Sequence, residues 1–106
     1  MNKTSSSSNA LKKLIKLLAK EGVIEILLFI HKNGSARYKD LVAIVSSEPT
    51  LVRRLNELTS LKILERKLLD EKYRPVEYHL TELGAELSER LIKTMNELEK
   101  IYFKNL

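Results

Sequence analysis

One stretch of this chain gathers side chains suited to hydrogen bonding with the edges of nucleobases: Ser46-Ser47-Glu48-Pro49-Thr50-Leu51-Val52-Arg53-Arg54-Leu55-Asn56-Glu57-Leu58. A guanidinium such as that of Arg53 carries a fork of N–H donors that pairs bidentately with O6 and N7 of guanine, worth about 1–3 kcal/mol of discrimination. Thr50 offers a methyl group to thymine and a hydroxyl to phosphate. Glu48 can accept from N4 of cytosine, or act as a helix cap near a favourable N-terminal dipole. Contacts of this kind need a helix whose first turns enter a major groove. The segment supplies one. Ser47 or Glu48 can cap it, and Pro49 fits a first turn where its missing N–H costs nothing. Leu51, Leu55 and Leu58 recur at i, i+4, i+7 toward a core, with Thr50, Arg53 and Glu57 on the opposite side. The expected reading helix spans about Pro49–Leu61, with Glu48, Pro49, Thr50 and Arg53 at base edges.

Other side chains fit the phosphate backbone. Arg37, Lys39, Ser46 and Ser47 lie at the starts of two consecutive helical patterns, where phosphate contacts fix register. Arg54 sits at the edge of the leucine stripe and serves either a phosphate or an internal pair with an acid such as Asp40. Lys72, Tyr73 and Arg74 occupy a polar turn, about Asp70–Pro75, placed to rest on backbone or minor groove.

Catalytic chemistry lacks its parts. The chain has no cysteine, two histidines and three glycines, so there is no thiol nucleophile and no glycine loop to cradle phosphate. His31 closes a helix and His79 faces outward beside Glu77, which suits surface pairing. Disulfides, thiolate metal sites and thiol redox sensing are excluded as well. Neither enzyme activity nor a cofactor or metal is expected.

At 106 residues the chain makes one domain, and 43% hydrophobic against 31% charged residues describes a folded helical protein. The net charge of +5 suits a polyanionic partner. Its location is more informative: residues 1–20 carry Lys3, Lys12, Lys13, Lys16 and Lys20 and no acid, so the rest of the chain is balanced. The longest apolar run, Ile26 to Ile30, is far short of the roughly 20 residues that span a bilayer. No cleavable leader is apparent, and a cytoplasmic protein is expected.

Four segments follow from patterning. Residues 1–9, with four consecutive serines, read as a disordered tail. Residues 10–20 form a basic amphipathic helix with Leu11, Leu14, Ile15 and Leu18 as its stripe. That stripe has no Trp or Phe to sit at a bilayer interface, so packing or dimerisation is expected over membrane binding. Residues 21–81 form the core. Glu21-Gly22 breaks the chain, Val23 to His31 is apolar nearly all round, and Asn33-Gly34 stops that helix. Ser35-Ala36-Arg37 is an extended link, and Tyr38 to Val45 a third short helix. A short turn then leads into the reading helix, which makes the pair a helix-turn-helix. Leu64, Arg66 and Leu68 alternate with Glu65 and Lys67, Val76 to Leu80 alternates again with Val76, Tyr78 and Leu80 facing inward, and the two strands form a β-hairpin, the wing. Thr81 caps residues 82–106, where Leu83, Leu87, Leu91, Met95, Leu98 and Tyr102 make a long seam. The two terminal helices either cover each other or pair with a second copy. A homodimer is expected, with Leu11, Leu14, Leu18, Leu87, Leu91, Met95, Leu98 and Tyr102 in its interface.

The fold class is therefore mainly α with a small β-hairpin, a winged helix-turn-helix with extra N- and C-terminal helices. Arg37-Tyr38-Lys39-Asp40-Leu41, Thr50 through Leu58, and Arg74-Pro75-Val76-Glu77-Tyr78-His79-Leu80-Thr81-Glu82-Leu83-Gly84 resemble the HxlR-type branch of the MarR-like transcription regulators. The similarity covers roughly Gly22 to Leu98. It implies a homodimeric regulator of double-stranded DNA, dimerised by its terminal helices, with the third core helix in the major groove. Two departures stand out: Val23-Ile24 replaces a tryptophan near the start of the first core helix, and the redox cysteine of some members is absent. Two readings from other classes compete: a winged helix that docks a protein, since fold does not fix function, and a non-specific architectural DNA-binding protein.

Overall fold

The computed structural model describes residues 2–69, Lys72 and residues 75–106, the first six of them by backbone alone. Tyr73 and Arg74, named above with the wing, lie outside the described residues, as do Asp70 and Glu71. The order is α1 (Asn2–Leu18), α2 (Val23–Asn33), β1 (Ala36–Arg37), α3 (Tyr38–Leu41), a 3₁₀ turn (Val42–Ile44), α4 (Glu48–Ser60), β2 (Leu64–Leu68), β3 (Val76–Leu80) and α5 (Glu82–Lys104). This is a winged helix-turn-helix, and no helix among the described residues is long and apolar enough to cross a membrane.

The core is centred on α2, whose Val23, Ile26, Leu27 and Ile30 are buried in one cluster with Leu51, Leu55 and Leu58 of α4. Only Glu25 and the closing His31, Lys32 and Asn33 of α2 are exposed, so the other elements assemble around its remaining apolar sides. Gly22 makes the break from α1 with φ +83°, and a Cβ there would stand 2.3 Å from Cγ1 of Val45. Both the left-handed backbone and the close approach require glycine.

Three expectations need correction. First, α1 begins at Asn2, so the predicted tail over residues 1–9 is helical from its second residue. Extending a helix already nucleated by the Ala10–Leu18 packing costs far less than starting one. Second, the helix expected over Tyr38–Val45 ends at Leu41 and tightens into the 3₁₀ turn. Its β-branched residues weaken the α-helix, and the tighter turn delivers Val45 beneath Gly22. Third, the extended link is a strand. β1 pairs antiparallel with β3 (Ala36 with Tyr78, Arg37 with Glu77), giving a three-stranded sheet of order β1-β3-β2. Strand β2 buries Leu64 alone, with Arg66 and Leu68 exposed. Beyond Leu64, β2 leaves the core, whereas Tyr78 and Leu80 of β3 pack against it.

Thr81 caps α5 as expected: its Oγ1 accepts from the Gly84 N–H at 3.0 Å and donates to the carbonyl of Lys62. Here α5 passes directly over the chain reversal after α4. A Cβ on Gly84 would lie 2.0 Å from the carbonyl oxygen of Ile63. Gly84→Ala is therefore expected to cost about 1–3 kcal/mol, the range for forced overpacking, measured as a lower urea midpoint with unchanged slope.

Beyond Leu91, α5 leaves the body. The radius of gyration is 15.6 Å, against about 13 Å for a compact chain near this length. The terminal helices do not cover each other. Between them runs an open apolar groove of about 260 Å³ lined by Ala10, Lys13, Leu14, Leu61, Ile63, Leu83 and Leu87.

Candidate nucleic-acid interface

Helix α4 presents the reading face. Ser47, in extended conformation, is its cap, so of the two residues proposed for that role Glu48 is not the one used. The Ser47 Oγ accepts from the Thr50 N–H at 3.3 Å and donates to Thr50 Oγ1 at 2.9 Å. Pro49 takes the first turn. With Leu51, Leu55 and Leu58 directed inward, the outward row is Pro49, Val52, Arg53, Asn56 and Ser60, all exposed.

This row differs from the expected one at two positions. Thr50 is half-buried, with its hydroxyl in the cap. Glu57 is half-buried between two cations, accepting from Lys20 and from Arg54, the latter at 2.9 Å. The Lys20 ammonium, and after burial has opposed it the Arg54 guanidinium, hold the Glu57 carboxyl below its ordinary range. Val52 and Asn56 take the places on the reading face. The signal for Asn56 was its i+3 spacing from Arg53; an exposed valine carries no polar signal.

The guanidinium of Arg54 is engaged within the chain. Its Nε donates to the carbonyl of Glu21 at 3.1 Å and its Nη1 to Glu57, and the side chain is only 12% exposed. The internal partner is Glu57, not Asp40, whose carboxylate accepts the Arg37 N–H at 2.9 Å from the third position of the capping box of α3. Ser46 is committed too: its N–H donates to Glu21 Oε2 at 2.7 Å and its hydroxyl to Oε1 at 3.1 Å. Through Glu21, the junction after α1 thus grips both the turn and the middle of α4. At the start of α4, Tyr38 Oη donates to Glu48 Oε1 at 3.1 Å and ties the two helices of the motif together. Burial, then the bond to Glu48, pushes the Tyr38 phenol up.

Arg53, Arg37 and Lys39 are exposed and have no ion pair among the described residues. Arg37 and Lys39 share a groove of about 520 Å³ with Tyr38, Arg66, Pro75, Val76 and Tyr78. Arg66, from β2, is a cation the sequence reading did not single out. Lys72 is exposed at the wing. His79 pairs with Glu77 at 2.9 Å on the outer face of the sheet, the surface pairing expected for it. Among the described residues no cluster could hold a metal ion.

In the proposed dimer set, Leu14, Leu18, Leu87 and Leu91 pack partly against their own core, while Leu11, Met95, Leu98 and Tyr102 are exposed. Among the described side chains of α1 the buried one is Leu17, which was left out of the predicted stripe. The apolar arc of α1 is wider than one face, and the core takes Leu14, Leu17 and Leu18, leaving Leu11 and Ile15 outside.

Comparison with known proteins agrees with this geometry. The reduced form of the transcriptional regulator YodB from B. subtilis is 26% identical, covering 86% of this chain and 90% of that one, with a TM-score of 0.70. The diamide-treated form of YodB is 28% identical over 84% and 89%, with a TM-score of 0.66. The reduced form of MarR from E. coli is 27% identical over 90% and 71%, with a TM-score of 0.71. No curated protein sequence matches. The profile of the HxlR-like helix-turn-helix family matches residues 17–105. That span takes in every element from the last turn of α1 through α5, and the chain belongs to the HxlR-like helix-turn-helix family of transcription regulators.

Proposed function

We propose that this chain is a sequence-specific regulator that binds double-stranded DNA as a homodimer, with α4 in the major groove and the wing on backbone or minor groove. The observation that carries the reading is the division of labour along α4. Arg54, Thr50 and Glu57 are spent on internal bonds, whereas Arg53 is left exposed in a row with Val52 and Asn56. Arg53 suits guanine, Asn56 suits adenine N6 and N7, and Val52 suits a thymine methyl. Pro49 lies at the leading end of the row, and Glu48, held by Tyr38, remains within reach of a cytosine. Arg37 and Lys39 supply phosphate contacts beside them, while Ser46 and Arg54 act by holding α4 in place. Two-fold symmetry calls for an inverted repeat with half-sites about one turn, roughly 34 Å, apart.

The test is selection from a pool of random duplexes at 50 and 200 mM salt. Enrichment of one palindromic motif is expected, with affinity falling by roughly 10³ to 10⁵ between the two salts if about 6–10 phosphates are contacted. Salt-sensitive binding without a motif would make the protein architectural. No binding at either salt would make it a protein-docking winged helix.

A further inference from the structure

The cation-rich helix α1 faces α4 across an open cleft. Lys13, Lys16 and Lys20, at i, i+3, i+7, line one cleft of about 550 Å³ with Arg53, Asn56 and Ser60, which repeat the same spacing on α4. Buried Leu17 and exposed Leu61 form its apolar floor. The bond from Lys20 to Glu57 holds the end of α1 in this position. Lys13 and Lys16 are exposed and have no ion pair among the described residues. The single acid in the cleft, Glu57, is already shared by Lys20 and Arg54.

We propose that Lys13 and Lys16 form a second DNA contact, gripping the phosphate strand that borders the groove read by α4. This rests on the reading of α4 given above. A helix is about 10–12 Å across and the major groove about 12 Å wide, so a helix seated there has a phosphate strand along each flank. An element that faces the exposed flank across an open cleft, as α1 does, stands beside one of those strands. Two parallel rows along an open cleft match a linear polyanion. The contact carries no sequence information and adds affinity and register. It also gives the positive charge concentrated in residues 1–20 a place at the interface.

The experiment compares the salt dependence of binding to the selected duplex for the wild-type protein, Lys13→Gln/Lys16→Gln, Lys13→Arg/Lys16→Arg and a control, Lys12→Gln/Lys32→Gln, whose lysines lie outside the cleft. Two lysines per protomer are four per dimer, so the glutamine pair is expected to lower the slope of log K against log salt by about 3–4 units, with the same motif selected. The arginine pair is expected to keep the slope, and the control to change it far less. Ethylation of backbone phosphates supplies a readout on the wild-type protein: interference is expected at phosphates flanking each half-site. An unchanged slope, an equal drop in the control, or no flanking interference would overturn the proposal. A lysine-dependent slope with no motif selected would instead overturn base reading by α4 and leave the lysine contact standing.

Discussion

Arg53→Ala is expected to erase selection of a single motif while leaving the fold intact. Each bidentate arginine–guanine pair discriminates by about 1–3 kcal/mol, and a dimer makes the contact twice. The expected loss on the selected duplex is therefore about 2–6 kcal/mol, or roughly 30-fold to 10⁴-fold, with affinity for random duplex falling much less. Arg53 is exposed and has no internal partner among the described residues, so the change in stability is expected to stay within about 0.5 kcal/mol. The neighbouring residue gives the contrast. Arg54→Ala breaks the bonds to the Glu21 carbonyl and to Glu57, and its effect is expected first in the urea midpoint. Arg53→Lys separates charge from geometry: it keeps the phosphate field but loses the planar fork, so the salt slope is expected to survive while the motif relaxes. A motif that persists in Arg53→Ala would remove this residue from base reading and turn attention to Asn56 and Val52.

The difference between Arg53 and Arg54 also marks how far the sequence can be read. Local features located α4, its proline and a cap at Ser47 or Glu48, of which the structure uses Ser47. The wing and the start of α5 were legible for the same reason, through alternation and Thr81. Which polar side chain faces outward was not local. Thr50 and Glu57 share the wheel sector of Arg53, yet a cap bond claims one and Lys20, 37 positions away in sequence, claims the other. Asp40 was a reasonable partner for Arg54 by charge, but the N–H of Arg37 had claimed it. The two-residue strand β1 was invisible because its pattern is too short to show a period, and its partner β3 lies about 40 residues away. The lysine stripe of α1 was visible as composition. Its position beside α4 depended on how the chain turns at Gly22, which the sequence marks as a break without giving the angle.

The second large effect concerns assembly. Leu98→Glu with Tyr102→Glu is expected to convert the protein to a monomer and to reduce affinity for the inverted repeat by about 10²–10⁴-fold, the loss when two linked half-site contacts become independent. The distal part of α5 motivates the choice of positions. Leu98 is 58% exposed, Tyr102 62% and Phe103 63%, and Ile101 joins them on a helix that has left its own core. A contiguous apolar surface of this kind marks an interaction site in a soluble chain. Within the same chain, the open groove between α1 and α5 presents Leu14, Leu61, Leu83 and Leu87. A second copy related by a two-fold axis can seat its projecting helix near that groove and return the same contact, which closes the assembly at two. Because neither substituted side chain touches the core cluster, the substitutions are expected to leave α2 to α4 folded, as read by the urea transition of the remaining body. Sedimentation equilibrium gives the mass, and binding to a single half-site gives the control: if only assembly is lost, half-site affinity is expected to match that of one wild-type protomer. A variant that remains dimeric with undiminished affinity would move the interface to Leu11 and Ile15, an apolar pair that α1 leaves exposed.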